Sequence, residues 1–157
     1  MQLIDNFLPT EDFLQIKNKL LNNDFPWYYN DGVNKPNEEH TQFIHYFYKG
    51  GFPTNSYSTI APLVKRINPV AIARIKANLV LQSKDILEHG MHRDYDHENL
   101  TTAIYYVNNN NGYTKFKSGE KIKSLQNRLI IFKCNLLHSG TTCTDEKRRI
   151  VINFNFT

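Results

Sequence analysis

The sequence predicts an α+β fold in which helices precede a sandwich or jelly-roll barrel of antiparallel strands. Three observations carry this. An early segment repeats its apolar residues at helical spacing, a second such segment follows, and from Arg74 onward the period changes to two. The later part divides into short β-prone runs, ARIKANLVLQ, LTTAIYYVN, YTKF, RLIIFK and RRIVINFNF, separated by turn residues. With 40% hydrophobic residues in 157, the chain can bury one core and is too short for two, so residues 1–157 are expected as one domain. Within it, residues 1–72 form the helical N-terminal support and 73–157 the barrel core.

The first helix begins near Thr10, a capping residue type, with Glu11 and Asp12 at the positive end of the helix dipole. Phe13, Ile16 and Leu20 fall on one face, which should pack on a sheet. The stretch FPWYYNDGVNKPNEEH, Phe25 to His40, turns from aromatic to polar with Gly and Pro and reads as a strand or loop with an exposed tip. It and HTQFIHYFYKGGFP are candidates for a substrate entrance. A second helix is expected from Tyr57 to Ile67, with Ile60, Leu63, Val64 and Ile67 on one face and Pro69 just beyond its end. Turns are expected at Asn108 to Gly112 and near Ser118 and Gly119.

Composition removes several function classes. The net charge is +4, but Lys and Arg are scattered rather than gathered in a stripe, which argues against nucleic acid as the partner. The opening residues MQLIDNFLPTEDF have neither a basic leader followed by an apolar run nor a membrane span, so a cytoplasmic location without a membrane is expected. The two cysteines, Cys134 and Cys143, lack CxxC spacing and read as reduced packing residues.

The chemistry is concentrated in MHRDYD. In an extended segment His92 and Asp94 project to the same side, giving half a metal site. His138, after the apolar run RLIIF and at the start of HSGTT, is the candidate third ligand. Two histidines and one carboxylate on a face with open positions suit non-haem Fe(II). His97 and Asp96 are rival ligands, whereas His40, His45 and His89 lack a partner at ligand spacing and read as surface or turn residues. Asn127 and Arg128 read as turn formers.

The order of these features resembles the 2-oxoglutarate and Fe(II)-dependent dioxygenases, in their prolyl-4-hydroxylase-like branch. The resemblance rests on HRD at 92–94, TTAIYYVN at 101–108, GYTKF at 112–116, NRLIIF at 127–132, HSG at 138–140 and RRIVINFNF at 148–156. It implies a double-stranded β-helix, a jelly-roll or cupin-like barrel with N-terminal supporting helices. His92, Asp94 and His138 would bind Fe(II), and a basic residue of the last strand would pair with the remote carboxylate of 2-oxoglutarate. Arg149 is preferred to Arg148: with Arg149 facing inward, so do Val151, Asn153 and Asn155, leaving Ile150, Ile152, Phe154 and Phe156 for the helices.

By the same resemblance Tyr106 donates its hydroxyl to that carboxylate, and Asn78, rather than Gln82 of the same parity, approaches the keto-acid end. The tyrosine that prolyl hydroxylases often carry on this strand has no counterpart in RIKANLVLQSK. The implied reaction consumes 2-oxoglutarate and O2, with ascorbate as a possible stimulant, and hydroxylates a substrate such as a proline in a protein or peptide. The competing reading is a non-catalytic cupin-like module that binds a metal or ligand without turnover.

Overall fold

The computed structural model describes residues 1–33 and 40–157. In it strand β1 (Gln2–Ile4) precedes helix α1 (Thr10–Leu21), β2 (Tyr28–Asn30), β3 (Gln42–Lys49) and β4 (Phe52–Pro53). A 3-10 turn (Tyr57–Ile60) then runs into α2 (Ala61–Ile67). The rest is strand and loop: β5 (Ile72–Leu81), β6 (Thr101–Tyr106), β7 (Tyr113–Phe116), β8 (Lys121–Lys123), β9 (Arg128–Lys133), β10 (His138–Ser139) and β11 (Arg148–Phe156). The polar end of the expected exposed loop, residues 34–39, lies outside the described residues.

The strands form two antiparallel sheets. The larger runs β1-β9-β6-β11-β5-β3-β2 with β4 beside β3, and the smaller runs β10-β7-β8. This is the double-stranded β-helix expected of the sequence, with an addition. The first 72 residues are not only helical support, because β1 to β4 join the larger sheet, β1 on β9 and β3 on β5. The physical reason lies in QFIHYFYK, an aromatic-rich run that suits a half-buried pleated surface and extends the sheet from Phe43 opposite Leu79 to Tyr48 opposite Ile75.

Helix α1 buries Phe13, Ile16 and Leu20, and from the second helical segment Ile60 and Leu63 join the same cluster. They meet Ile75, Ala77 and Leu79 of β5 and Ile150, Ile152 and Phe154 of β11. Thr10 does not cap α1 with its side chain. Pro9 holds that position in an extended conformation, and its carbonyl accepts from the Phe13 amide at 3.0 Å. Asn68 ends α2 in the left-handed region, a conformation asparagine tolerates.

Between the two sheets lies a second apolar cluster, including Ile104, Tyr106, Phe116, Ile130 and Val151. Strands β6, β9 and β11 of the larger sheet therefore separate two apolar environments, and the site opens on the inter-sheet side.

Candidate metal centre and its cavity

His92 and Asp94 lie in the long connection between β5 and β6 rather than in a regular strand. Their common direction comes from a single antiparallel bridge, not from strand parity. The His92 amide donates to the His138 carbonyl at 2.9 Å and the His138 amide returns a bond at 3.0 Å. This exchange ties the motif to β10 and sets the two imidazoles 4.6 Å apart between ring centroids. Ligand atoms of His92, Asp94 and His138 all lie within 4.8 Å of one another.

Each imidazole is held from behind. Nδ1 of His138 is 3.0 Å from the Leu136 carbonyl, and Nδ1 of His92 is 3.3 Å from that of Gly90. An Nδ1–H donating to a carbonyl leaves Nε2 as the free lone pair, the arrangement that orients a metal-binding histidine. Phe132 packs edge-on against His138 at 5.0 Å. Burial, reinforced by His138, lowers the His92 pKa and favours the neutral imidazole.

Asp94 is anchored at both oxygens. Thr102 donates to Oδ2 at 2.8 Å and Asn155 to the same atom at 3.1 Å, while Arg74 donates to Oδ1 at 3.1 Å. Arg74 also donates to Asn155 at 3.0 Å, so the three supports are linked. Burial alone would raise the Asp94 pKa; His138, Arg74 and the two hydrogen bonds outweigh it and keep the carboxyl below its ordinary value. Two imidazole nitrogens and one ionised carboxylate oxygen, fixed by side chains and carbonyls behind them, are a donor set suited to Fe(II).

A cavity of about 230 Å³ extends from this cluster between the sheets. Arg149 stands in its wall, 3% exposed. Its guanidinium donates to Ser124 Oγ at 2.9 Å and approaches Thr114 Oγ1 at 3.4 Å, and it forms no ion pair among the described residues. Burial pulls its pKa down, with Tyr106 and Cys143 opposing. Gly112 lies against the Arg149 side chain so closely that an added Cβ would meet Arg149 Cδ at 2.8 Å and the Thr142 carbonyl oxygen at 2.7 Å. Arg148 points the other way and donates to the Leu21 carbonyl at the end of α1.

Tyr106 is fully buried, but its hydroxyl donates to Thr114 at 2.8 Å, and it is Thr114 that lines the cavity. Asn78 lines the cavity with an unpartnered Oδ1, whereas Gln82 donates to the Thr144 carbonyl outside it. His97 accepts from the Asn99 amide and, with Asp96, stands apart from the cluster. His45 and His89 are buried rather than superficial: His45 packs among Phe25 and Phe47, and His89 lines the cavity. Asn127 adopts a positive φ of 60° as a turn former and also bonds Leu8 and the Tyr105 hydroxyl. Sequence reasoning missed Arg74, Lys76, Thr102, Thr114 and Ser124, all polar residues that reach the site from strands or their ends.

Residues 80–157 match the model of the 2OG-Fe(II) oxygenase superfamily. No curated protein matches the chain in sequence. Among solved structures, a prolyl hydroxylase from Trichoplax adhaerens, in complex with a hypoxia inducible factor oxygen degradation domain peptide, aligns at a TM-score of 0.70. That alignment has 15% identity and covers 99% of this chain and 82% of that one. A Pseudomonas putida prolyl-4-hydroxylase aligns at 0.63, with 13% identity over 99% and 91%. An oxidoreductase of the 2OG-Fe(II) oxygenase family from Burkholderia pseudomallei aligns at 0.66, with 12% identity over 98% and 84%. Residues 80–157, the barrel, belong to the 2OG-Fe(II) oxygenase superfamily, and the fold of solved prolyl hydroxylases is shared along nearly the whole chain.

Proposed function

We propose that this oxygenase hydroxylates a residue of a protein or peptide, proline first, with His92, Asp94 and His138 holding Fe(II) and Arg149 holding 2-oxoglutarate. The observation that carries the reading is the buried guanidinium of Arg149, whose hydrogen-bond partners are neutral hydroxyls. A buried charge without a counter-charge is costly, and a carboxylate entering the cavity would offset that cost through two parallel hydrogen bonds. A module that held only a metal would have no use for it, which sets the cupin-like binding reading second.

The residues divide the work. Arg149 receives the remote carboxylate, with Thr114 and Ser124 steering its fork. Tyr106 acts on that carboxylate through Thr114, a positioning role rather than the direct contact expected from the resemblance. Asn78, with its free Oδ1 in the cavity, lies nearer the keto-acid end. Fe(II), which His92, Asp94 and His138 would hold, would supply the O2 chemistry that couples conversion of 2-oxoglutarate to succinate and CO2 with hydroxylation of the substrate, one oxygen atom going to each product. The apolar cluster of Ile104, Phe116 and Val151 keeps one side of the cavity dry. Ascorbate is taken as a stimulant that keeps the metal reduced, and residues 1–157 are taken as one catalytic domain.

The likeness to prolyl hydroxylases motivates a peptide substrate. No helix among the described residues is long and apolar enough to cross a membrane; the cytoplasmic placement stays part of the proposal. The reading is tested by supplying purified protein with Fe(II), ascorbate, 2-oxoglutarate and O2 and measuring succinate. Iron-dependent succinate in the wild type and its loss in Asp94→Ala is the expected result. Equal succinate from both proteins would refute the ligand assignment.

A further inference from the structure

The cavity carries more positive charge than the proposed reaction uses. Among the described residues four cationic side chains line it, Arg74, Lys76, Arg93 and Arg149, against one carboxylate, Asp94. An Fe(II) dication and a 2-oxoglutarate dianion cancel, so the excess persists in the loaded enzyme. Three of the cations have assigned acceptors. Arg74 is held by Asp94 and Asn155, Arg93 donates to the Asn135 carbonyl, and Arg149 serves the co-substrate.

Lys76 has none: its ammonium makes no hydrogen bond or ion pair among the described residues. Burial, aided by the Arg74 charge and opposed by Asp94, pulls its ammonium down to about 8. Directly opposite on the neighbouring strand stands Asn153, 7% exposed, lining the same cavity with an Oδ1 that has no partner.

Strand register separates this pair from the co-substrate pocket. Arg149 lies opposite Val80, and Lys76 lies opposite Asn153, four residues further along β11, about 13 Å at the rise of a strand. Between them sit Asn78 and Val151. In the reading above both ends of 2-oxoglutarate are spoken for, one by Arg149 and the other by the metal. The Lys76 end, beside Asp94, is left to the primary substrate. The whole cavity, about 230 Å³, is smaller than the roughly 300–1,000 Å³ of pockets that enclose complete small ligands. With the co-substrate inside, the remaining space suits a side chain inserted from a larger molecule.

We propose that Lys76 and Asn153 form an anion subsite that takes a carboxylate of the peptide substrate, from an acidic side chain next to the residue oxidised. This rests on the oxygenase reading. The lysine ammonium is a compact charge on a flexible stem, able to follow a carboxylate that a rigid arginine fork could not reach. On the facing strand the Asn153 amide would donate to that carboxylate from its Nδ2, its Oδ1 being an acceptor.

The test uses the full chain loaded with Mn(II) and 2-oxoglutarate without O2, titrated with pairs of proline-containing peptides that differ only by Glu for Gln, or Asp for Asn, beside the proline. Calorimetric Kd values are expected to favour the acidic peptide by about tenfold or more in the wild type, the size of a lost charge-assisted hydrogen bond. In Lys76→Met the preference should collapse, in Lys76→Arg it should partly persist, and in Lys76→Glu it should turn toward a peptide bearing Lys in that place. Equal binding of both peptides by the wild type, or binding of neither, overturns the inference.

The affinity of each metal-loaded variant for 2-oxoglutarate separates the remaining outcomes. If Lys76→Met loses co-substrate affinity along with peptide preference, Lys76 belongs to the co-substrate pocket and the subsite is refuted while the oxygenase reading stands. Failure of the wild type itself to bind 2-oxoglutarate would instead refute that reading, and the subsite with it.

Discussion

The two faces of β5 and β11 make opposite use of the same backbone. One face presents Ile75, Ala77 and Leu79 with Ile150, Ile152 and Phe154 to the helices, an all-apolar layer whose members are at most 4% exposed. The other presents Arg74, Lys76 and Asn78 with Arg149 and Asn153 to a cavity, a run of polar groups several of which lack partners. Alternation along each strand lets the first face supply stability while the second holds charges that work against it. Substitutions on the two faces should therefore separate stability from activity.

The largest contrast is expected at the ligands: Asp94→Ala should reduce iron-dependent succinate formation to background without lowering the melting temperature in proportion, checked by product analysis beside thermal unfolding. Next, Arg149→Met should raise the Kd for 2-oxoglutarate on the order of 100-fold, the scale of a lost buried charge pair. Because the guanidinium is buried without a counter-charge, the same variant should unfold at an equal or higher temperature. A drop in both would mean that Arg149 is structural.

On the opposite face, Phe154→Ala should cost about 3–5 kcal/mol of stability in denaturant titrations and leave the 2-oxoglutarate affinity of the remaining folded protein unchanged. Gly112→Ala probes the seam between the faces. Its new methyl would collide with Arg149 and with backbone, so co-substrate affinity should fall about tenfold, between the loss in Arg149→Met and no effect.

The smallest effect belongs to the rim. Glu88 is held at about 2, below its usual 4.5, first by Lys115 and then by Tyr113. Its depressed pKa means that its stabilisation is present above 4.5 and is lost as pH falls toward 2. Since the group is exposed, Glu88→Gln should change stability at neutral pH by less than about 1 kcal/mol in urea unfolding.

Much of this division was legible in the sequence. RRIVINFNF alternates so strictly that one register buries four apolar residues and turns Arg149 inward, and the structure has that register, with Arg148 spent on α1. The direction of the HxD motif was not legible from parity, because a bridge to His138 across 46 residues of chain, rather than a strand, orients it. Nor were Thr114 and Ser124, short hydroxyl residues whose role appears only when Arg149 crosses to the smaller sheet. Lys76 shares parity with Asn78, so its inward direction could have been inferred, but nothing in local pattern marks a lysine as half-buried in a cavity wall. Strands β1 and β2 are three residues each, too short to show a period, and they form because distant partners complete their hydrogen bonds.

The central claim, that the polar face holds Fe(II) and 2-oxoglutarate together, is tested most directly by anaerobic titration of the Fe(II)-loaded protein with 2-oxoglutarate, following the visible charge-transfer absorption of the chelate. The account predicts a saturable band at one equivalent per chain in the wild type, absent from His138→Ala and displaced to far higher 2-oxoglutarate concentration in Arg149→Met. A band of unchanged strength and midpoint in both variants, or none in the wild type, would contradict it.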